Sequence, residues 1–265
     1  MTFQKLIFCL SLSILPILAQ DEEGFVPLFD GKTLDGWKAA RADGDNPGAF
    51  SVNEEEQAIQ TYLGKEANSK QATDCLNTEK EYSHFILKLE YKWVGKRFAP
   101  RTKWDRDSGL LFHVHGDLKK VWPLCLEMQI GESPGDKPHG RRSAGRFHTG
   151  DLFVLGKGLR TDTATSDEKS YDPEAEPVTG KSIETKLGAE KPMGEWNEME
   201  LHVHGSEKAV FIFNGETVLE TSNFTQVIDG ETVPLEKGRI GLQAEWAEVM
   251  FRNIRIKELP VPVAE

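Results

Sequence analysis

Apolar and polar residues alternate along most of this chain, and the alternation is clearest in two neighbouring runs. In Asp107-Ser-Gly-Leu-Leu-Phe-His-Val-His115 the period of two predicts a half-buried strand. Leu110, Phe112 and Val114 should share one face and send His113 and His115 to the other. In Val121-Trp-Pro-Leu-Cys-Leu-Glu-Met-Gln-Ile130, Leu124, Leu126, Met128 and Ile130 share a face, with Glu127 and Gln129 opposite. Two adjacent strands are thus expected to present a carboxylate, an amide and two imidazoles to one surface. Such groups can bind a sugar and move a proton.

The same pattern recurs elsewhere. His84 to Trp93 puts Phe85, Leu87, Leu89, Tyr91 and Trp93 on one side, and Trp196 to His204 does the same with Met199, Leu201 and Val203. Ala209 to Phe213 runs into Asn214-Gly215, a strong hairpin signal, and Glu216 to Glu220 returns. Arg239 to Glu245 and Val249 to Ile256 follow, and a parity shift between Phe251 and Ile254 suggests a bulge or a strand buried on both faces. Long helical periodicity and internal repeats are missing. The expected class is all-β, an antiparallel β-sandwich or jelly roll. Gly131–Gly150 and Gly156–Pro192 read as long surface loops, and the tail from Pro260 to Glu265 as frayed.

The first residues carry a short basic start and an apolar run ending at Ala19, with Asp21-Glu-Glu after it. This is the pattern of a secretory signal peptide over residues 1–19, cleaved near Ala19 or Gln20. Cys9 lies inside the run, which does not support lipid attachment, and no later segment is apolar enough for membrane insertion. The expectation is a periplasmic or secreted protein. Roughly 245 residues would remain, enough for one large all-β domain, placed at 24–259. A net charge of −11 argues against nucleic acid and anionic membranes. The basic clusters Lys96–Arg106 and Arg141–Arg146 read as solvated loops. Cys75 and Cys125 would be bridged in an oxidising compartment or stand as two buried thiols; the spacing does not choose.

Several phrases together resemble the 3-keto-disaccharide hydrolase-like family of exported bacterial proteins. They are Phe25-Val-Pro-Leu-Phe-Asp-Gly-Lys-Thr-Leu-Asp-Gly-Trp37, Asp107-Ser-Gly109, Glu127-Met-Gln-Ile130, Gly150-Asp151, Gly194-Glu-Trp-Asn197, Asn214-Gly215, Gly241-Leu-Gln243 and Phe251-Arg-Asn-Ile254. After Gln243 this chain has Ala244-Glu245-Trp246, where many relatives carry Asp-His-Gly. The resemblance implies a concanavalin A-like fold with a sugar cleft on its concave sheet. It also implies chemistry on 3-keto-glycosides, in which a C3 ketone acidifies the C2 proton and the C1 substituent leaves by elimination. Water can then add back, for net hydrolysis. That chemistry needs a base, an acid and donors to the enolate oxygen.

Glu127 is the first candidate for the catalytic carboxylate, with Asp107 behind it. His113 or His115 would be a second proton-transfer group or, protonated, would steady the enolate. Gln129, roughly 7 Å along the strand from Glu127, would hold a hydroxyl. Trp122, Arg146, His148, Asp151, Gln243 and Glu245 complete the expected substrate contacts, and Trp246 offers another stacking face. Each has a plainer reading: a strand carboxylate can simply face solvent, Asp107 and Asp151 can shape turns, and Trp37 and Trp196 read as packing residues. His113/His115 and His202/His204 have a spacing able to serve a metal, but no further ligand pattern accompanies them. No cofactor is expected, with a divalent cation left open. The expected partners are a keto-glycoside substrate and, upstream, a sugar 3-dehydrogenase. A non-catalytic glycan-binding module and an ordinary glycoside hydrolase, which needs two carboxylates across the scissile bond, remain as alternatives.

Overall fold

The computed structural model describes residues 22–44, 46, 48–132, 148–156, 158–163, 172, 174, 178–179, 182–185 and 190–262. The expected signal peptide at residues 1–19, Arg146 and the last three residues lie outside this set. In chain order the strands are β1 (Val26–Pro27), β2 (Trp37–Ala39), β3 (Phe50–Asn53), β4 (Ala58–Thr61), β5 (Asp74–Thr78) and β6 (His84–Arg97). Next come β7 (Asp107–His115), β8 (Leu124–Gly131), β9 (Leu152–Leu155), β10 (Arg160–Thr163), β11 (Val178–Thr179) and β12 (Ser182–Ile183). The last six are β13 (Asn197–His204), β14 (Lys208–Phe213), β15 (Glu216–Ile228), β16 (Glu231–Pro234), β17 (Arg239–Ala244) and β18 (Ala247–Glu258). There is no helix among the described residues.

These strands form two antiparallel sheets, the layered sandwich the alternation predicts. The larger runs β11-β10-β15-β14-β13-β6-β18-β4-β3, with β1 paired to β18 and β16 to β15; the smaller runs β12-β9-β8-β7-β17-β5-β2. Between them lies one core. Phe85, Leu87, Leu89 and Tyr91 of β6 and Leu201 and Val203 of β13 meet Leu110 and Phe112 of β7 and Leu126, Met128 and Ile130 of β8. Trp37 belongs to that core, its indole donating to the Leu28 carbonyl at 2.6 Å. Trp196 lies instead beneath Arg252 and Lys92, 3.9 and 4.6 Å from its ring. Asn214 and Gly215 turn the β14–β15 hairpin with positive φ at both residues, as a type I′ turn requires. The parity shift in β18 is a bulge between Arg252 and Arg255, with Asn253 at φ 51°.

Three sequence expectations change here. The stretch expected as one loop from Gly156 to Pro192 contributes β10 and β11, which extend the larger sheet, and β12, which extends the smaller. β7 and β8 are not half-buried: nearly every residue of both is shielded on both faces. The face assignment in β7 also breaks at His113, which has φ 51° and sits in a bulge seen by both neighbouring strands. The extra residue reverses the alternation beyond it. Val114 therefore joins Cys75, Leu111 and Cys125 in a small apolar cluster on the outer face of the smaller sheet, while His113 turns into the core. Cys75 and Cys125 are free thiols.

Candidate active site

The outer face of the smaller sheet carries the polar groups that alternation sends away from the core. Glu127 and Gln129 project there from β8, opposite Leu111 and Gly109 of β7. From β17 Gln243 projects beside them, opposite Cys75 of β5. Gly109 is what lets these groups converge. A Cβ at that position would collide with Glu127 Oε1 and lie 2.7 Å from Gln243 Oε1, so both side chains lean over a bare stretch of backbone. Gln243 is 1% exposed, and neither its amide oxygen nor its nitrogen has a hydrogen-bond partner among the described residues. Leaving such groups unpaired is costly, on the order of 1–3 kcal/mol each. Gln129 is partly committed, its Oε1 accepting from the Ile130 backbone at 2.9 Å.

Two more carboxylates join Glu127. Asp107 starts β7, Glu245 follows β17, and an antiparallel bridge brings them together. Arg101 clasps both: its Nη1 donates to Asp107 Oδ2 at 2.8 Å and to Glu245 Oε2 at 2.9 Å. A buried Phe98 fixes the loop that presents Arg101, donating its N–H to the Trp246 carbonyl at 2.8 Å and packing 4.8 Å from the Tyr62 ring. The guanidinium then lies 4.8 Å from the Trp246 ring and 5.4 Å from Trp104. Trp122 stands at the rim, 47% exposed, its Nε1 donating to Glu245 Oε1 at 3.0 Å.

Burial and like charge set the protonation of this cluster. Glu127 is 4% exposed and has neither a cation nor a hydrogen-bond donor on its carboxylate among the described residues. Desolvation, then the charges of Glu245 and Asp107, hold its pKa well above the ordinary value. Asp107 is also raised well above its ordinary value by burial and by Glu245, against the pull of Arg101. Three neighbouring carboxyl groups, of which only Asp107 and Glu245 are bound by Arg101, hold a proton readily. Glu127, which has no cation beside it, is the group where that proton rests at least cost. The cluster therefore gathers a carboxyl with a raised pKa, an arginine-bound pair of carboxyl groups and unpaired amide groups.

The other expected residues go elsewhere. His113 is buried between Phe112 and Phe224, with its Nε2 hydrogen-bonded to the Gly205 carbonyl at 2.8 Å. Burial pushes its pKa down to about 4, so it is a neutral core imidazole and not a protonated donor to an enolate. His115 turns its Nδ1 to the His113 carbonyl at 2.8 Å and pairs with Leu124, three residues and about 10 Å along β8 from Glu127. Neither imidazole therefore stands beside Glu127. Asp151 is fully buried: its carboxylate accepts from the His148 backbone at 3.0 Å and the Thr185 backbone at 2.9 Å, and its carbonyl accepts from Gln129 N–H at 2.9 Å. It fixes the start of β9, with His148 Nδ1 4.0 Å from its Oδ2. His202 pairs with Glu200 on the larger sheet, far from this cluster.

Arg101 was not anticipated from the sequence. The basic run Lys96–Arg106 is not a solvated loop, since Arg106 and Arg97 both bind Glu132 and Arg101 binds the acid cluster. A run of arginines just ahead of a motif aspartate was the available signal.

With that geometry in place, comparisons with known proteins give it a lineage. A 3-keto-disaccharide hydrolase of Bacteroides thetaiotaomicron is 23% identical over 91% of this chain and 81% of its own length. A crystal structure of a protein from Parabacteroides distasonis, provisionally named a glycosyl hydrolase, superimposes with a TM-score of 0.54 at 19% identity, over 92% of this chain and 99% of that one. The exoplasmic/lumenal domain of VIP36, bound to Ca2+ and Man3GlcNAc, does so with a TM-score of 0.50 at 9% identity, over 91% of both chains. The profile of the 3-keto-alpha-glucoside-1,2-lyase-like domain matches residues 24–257, so the chain is a member of that family.

Proposed function

We propose that this protein is an enzyme that cleaves 3-keto-glycosides at C1, with Glu127 as its central proton-transfer group. Family membership and the activity named for the Bacteroides relative support the substrate class. The observation that carries the chemistry is the buried Glu127 carboxyl beside Asp107 and Glu245, which share a single arginine. A C3 ketone makes the C2 proton acidic, and a carboxylate of the Arg101-bound pair removes it. The electrons move to the C3 oxygen as an enolate, towards which the unpaired Gln243 amide nitrogen can donate. As the enolate collapses, the C1–O bond breaks and the departing oxygen takes the Glu127 proton. A C1=C2 enone remains, and water added across it gives the hydrolysed keto-sugar.

The test uses a 3-keto-glucoside and its unoxidised parent. Cleavage of the keto form only, with exchange of the C2 hydrogen for solvent deuterium, is the expected result. Glu127→Gln should lower kcat by about 10²–10⁴. Equal cleavage of the parent, or a variant as fast as wild type, would sink the reading. A glycan-binding module is the second reading, favoured by the half-exposed Trp122 indole at the rim. It predicts sugar binding without turnover, weakened by Trp122→Ala and indifferent to Glu127→Gln.

The apolar run ahead of Asp21 supports export to the periplasm or beyond. Since ordinary glycosides lack the C3 ketone, a sugar 3-dehydrogenase must supply the substrate. Recovery of the protein from the cytosol with its first twenty or so residues intact would contradict the export proposal.

A further inference from the structure

The polar face does not end at the carboxylates. Glu127, Leu111, Gly241 and Asn77 lie in register across β8, β7, β17 and β5, so the row spans about 14 Å of sheet. Gly241 keeps the path clear, because a Cβ there would sit 2.8 Å from Asn77 Oδ1 and 3.2 Å from Leu111 Cβ. Asn77 then opens into a groove of about 970 Å³ that β2 and the segment after it help to line. That volume suits a ligand larger than one sugar ring.

The groove has two features that a surface furrow lacks. Asn77 is 3% exposed; its Oδ1 accepts from the Cys75 thiol at 3.2 Å, while its Nδ2 has no partner among the described residues. A residue of the groove lining therefore holds a buried, unsatisfied donor. The lining also carries Lys38, Arg41, Lys119 and Arg239 against Asp43 and Glu79, a positive excess in a chain of net charge −11. Arg41 and Arg239 are oriented by the Thr73 carbonyl and by Glu81. Lys38 and Lys119 form no ion pair among the described residues.

We propose that this groove is a second sugar subsite, taking a glycan unit that bears an anionic group, either a uronate carboxylate or a sugar sulfate. Asn77 donates to the ring at the junction with the carboxylate site, and the cations bind the acid. The proposal rests on the reading of that site as glycan-binding, but it needs no turnover. Its test is calorimetric titration of the wild-type mature protein with three disaccharides: one neutral, one carrying a uronate, one carrying a sulfate.

One or both anionic sugars should bind about tenfold tighter than the neutral one, and the advantage should shrink as salt rises. It should vanish in Lys38→Glu/Lys119→Glu, a surface variant whose melting temperature checks its fold. Asn77→Ala should weaken all three. A difference between the uronate and sulfate arms identifies the anion. Equal affinity for all three sugars, no saturable binding, or an anion preference that survives the charge reversal would overturn the proposal. Loss of keto-glucoside turnover alongside an intact anion preference would sink the catalytic reading and leave this one standing.

Discussion

Glu127 is unstable as an anion in the folded chain, and that has a consequence beyond catalysis. Its carboxyl is buried and faces two other carboxylates, which raises its folded pKa above the ordinary 4.5. A group with a raised native pKa binds protons more tightly folded than unfolded. It therefore contributes stability that is complete below about 4.5 and is lost as pH rises through the folded value. Asp107 shifts in the same direction and adds to the trend. Glu127→Gln keeps the shape and removes the ionisation. Melting curves should show the variant gaining on wild type steadily as pH rises from about 4.5; parallel curves would mean that Glu127 ionises freely. At this scale Glu127 and Gln129 were legible, because a period of two fixes which residues share a face, and Gln243 was named through its motif. Arg101 was not, since a loop arginine acquires its partners only when Phe98 is buried and carries the loop to them.

The bulge in β7 shows what alternation alone misses. One extra residue at His113 sends Val114 to the outer face and the imidazole into the core. A histidine in the left-handed region is uncommon but enriched over most residues, and that weak preference was the only local hint. Gly238 makes room for the bulge: a Cβ there would lie 2.6 Å from His113 Cα, and backbone cannot yield as a side chain can. Gly238→Ala should cost about 1–3 kcal/mol or more in urea unfolding, with His113→Phe milder because it leaves the backbone path intact. A neutral Gly238→Ala would show that the bulge is not held there. The Gly156–Pro192 stretch failed at this scale for a different reason. Short edge strands such as β11 and β12 take their order from the sheet they join, so their own residues carry little signal.

Across the molecule the two thiols report on packing. Cys75 and Cys125 are fully buried on the same face of the smaller sheet, and burial raises both pKa values well above the ordinary thiol range. They should resist a thiol reagent in the native protein and both react in denaturant, with no change in mobility on reduction. Rapid native labelling or a reducible cross-link would contradict this. Sequence left the bridge open because cysteine spacing does not report Cα separation.

The sequence by itself determined the all-β class, the main core strands and the outward direction of Glu127 and Gln129, because pleating makes face a matter of parity. Tertiary structure decided which outward groups meet: Asp107 with Glu245 through Arg101, and Glu127 with Gln243 over Gly109. It also decided that His113 does not join them. Those pairings are between residues far apart in the chain, set by strand order, one bulge and a missing Cβ, and the local pattern carries no record of sheet neighbours.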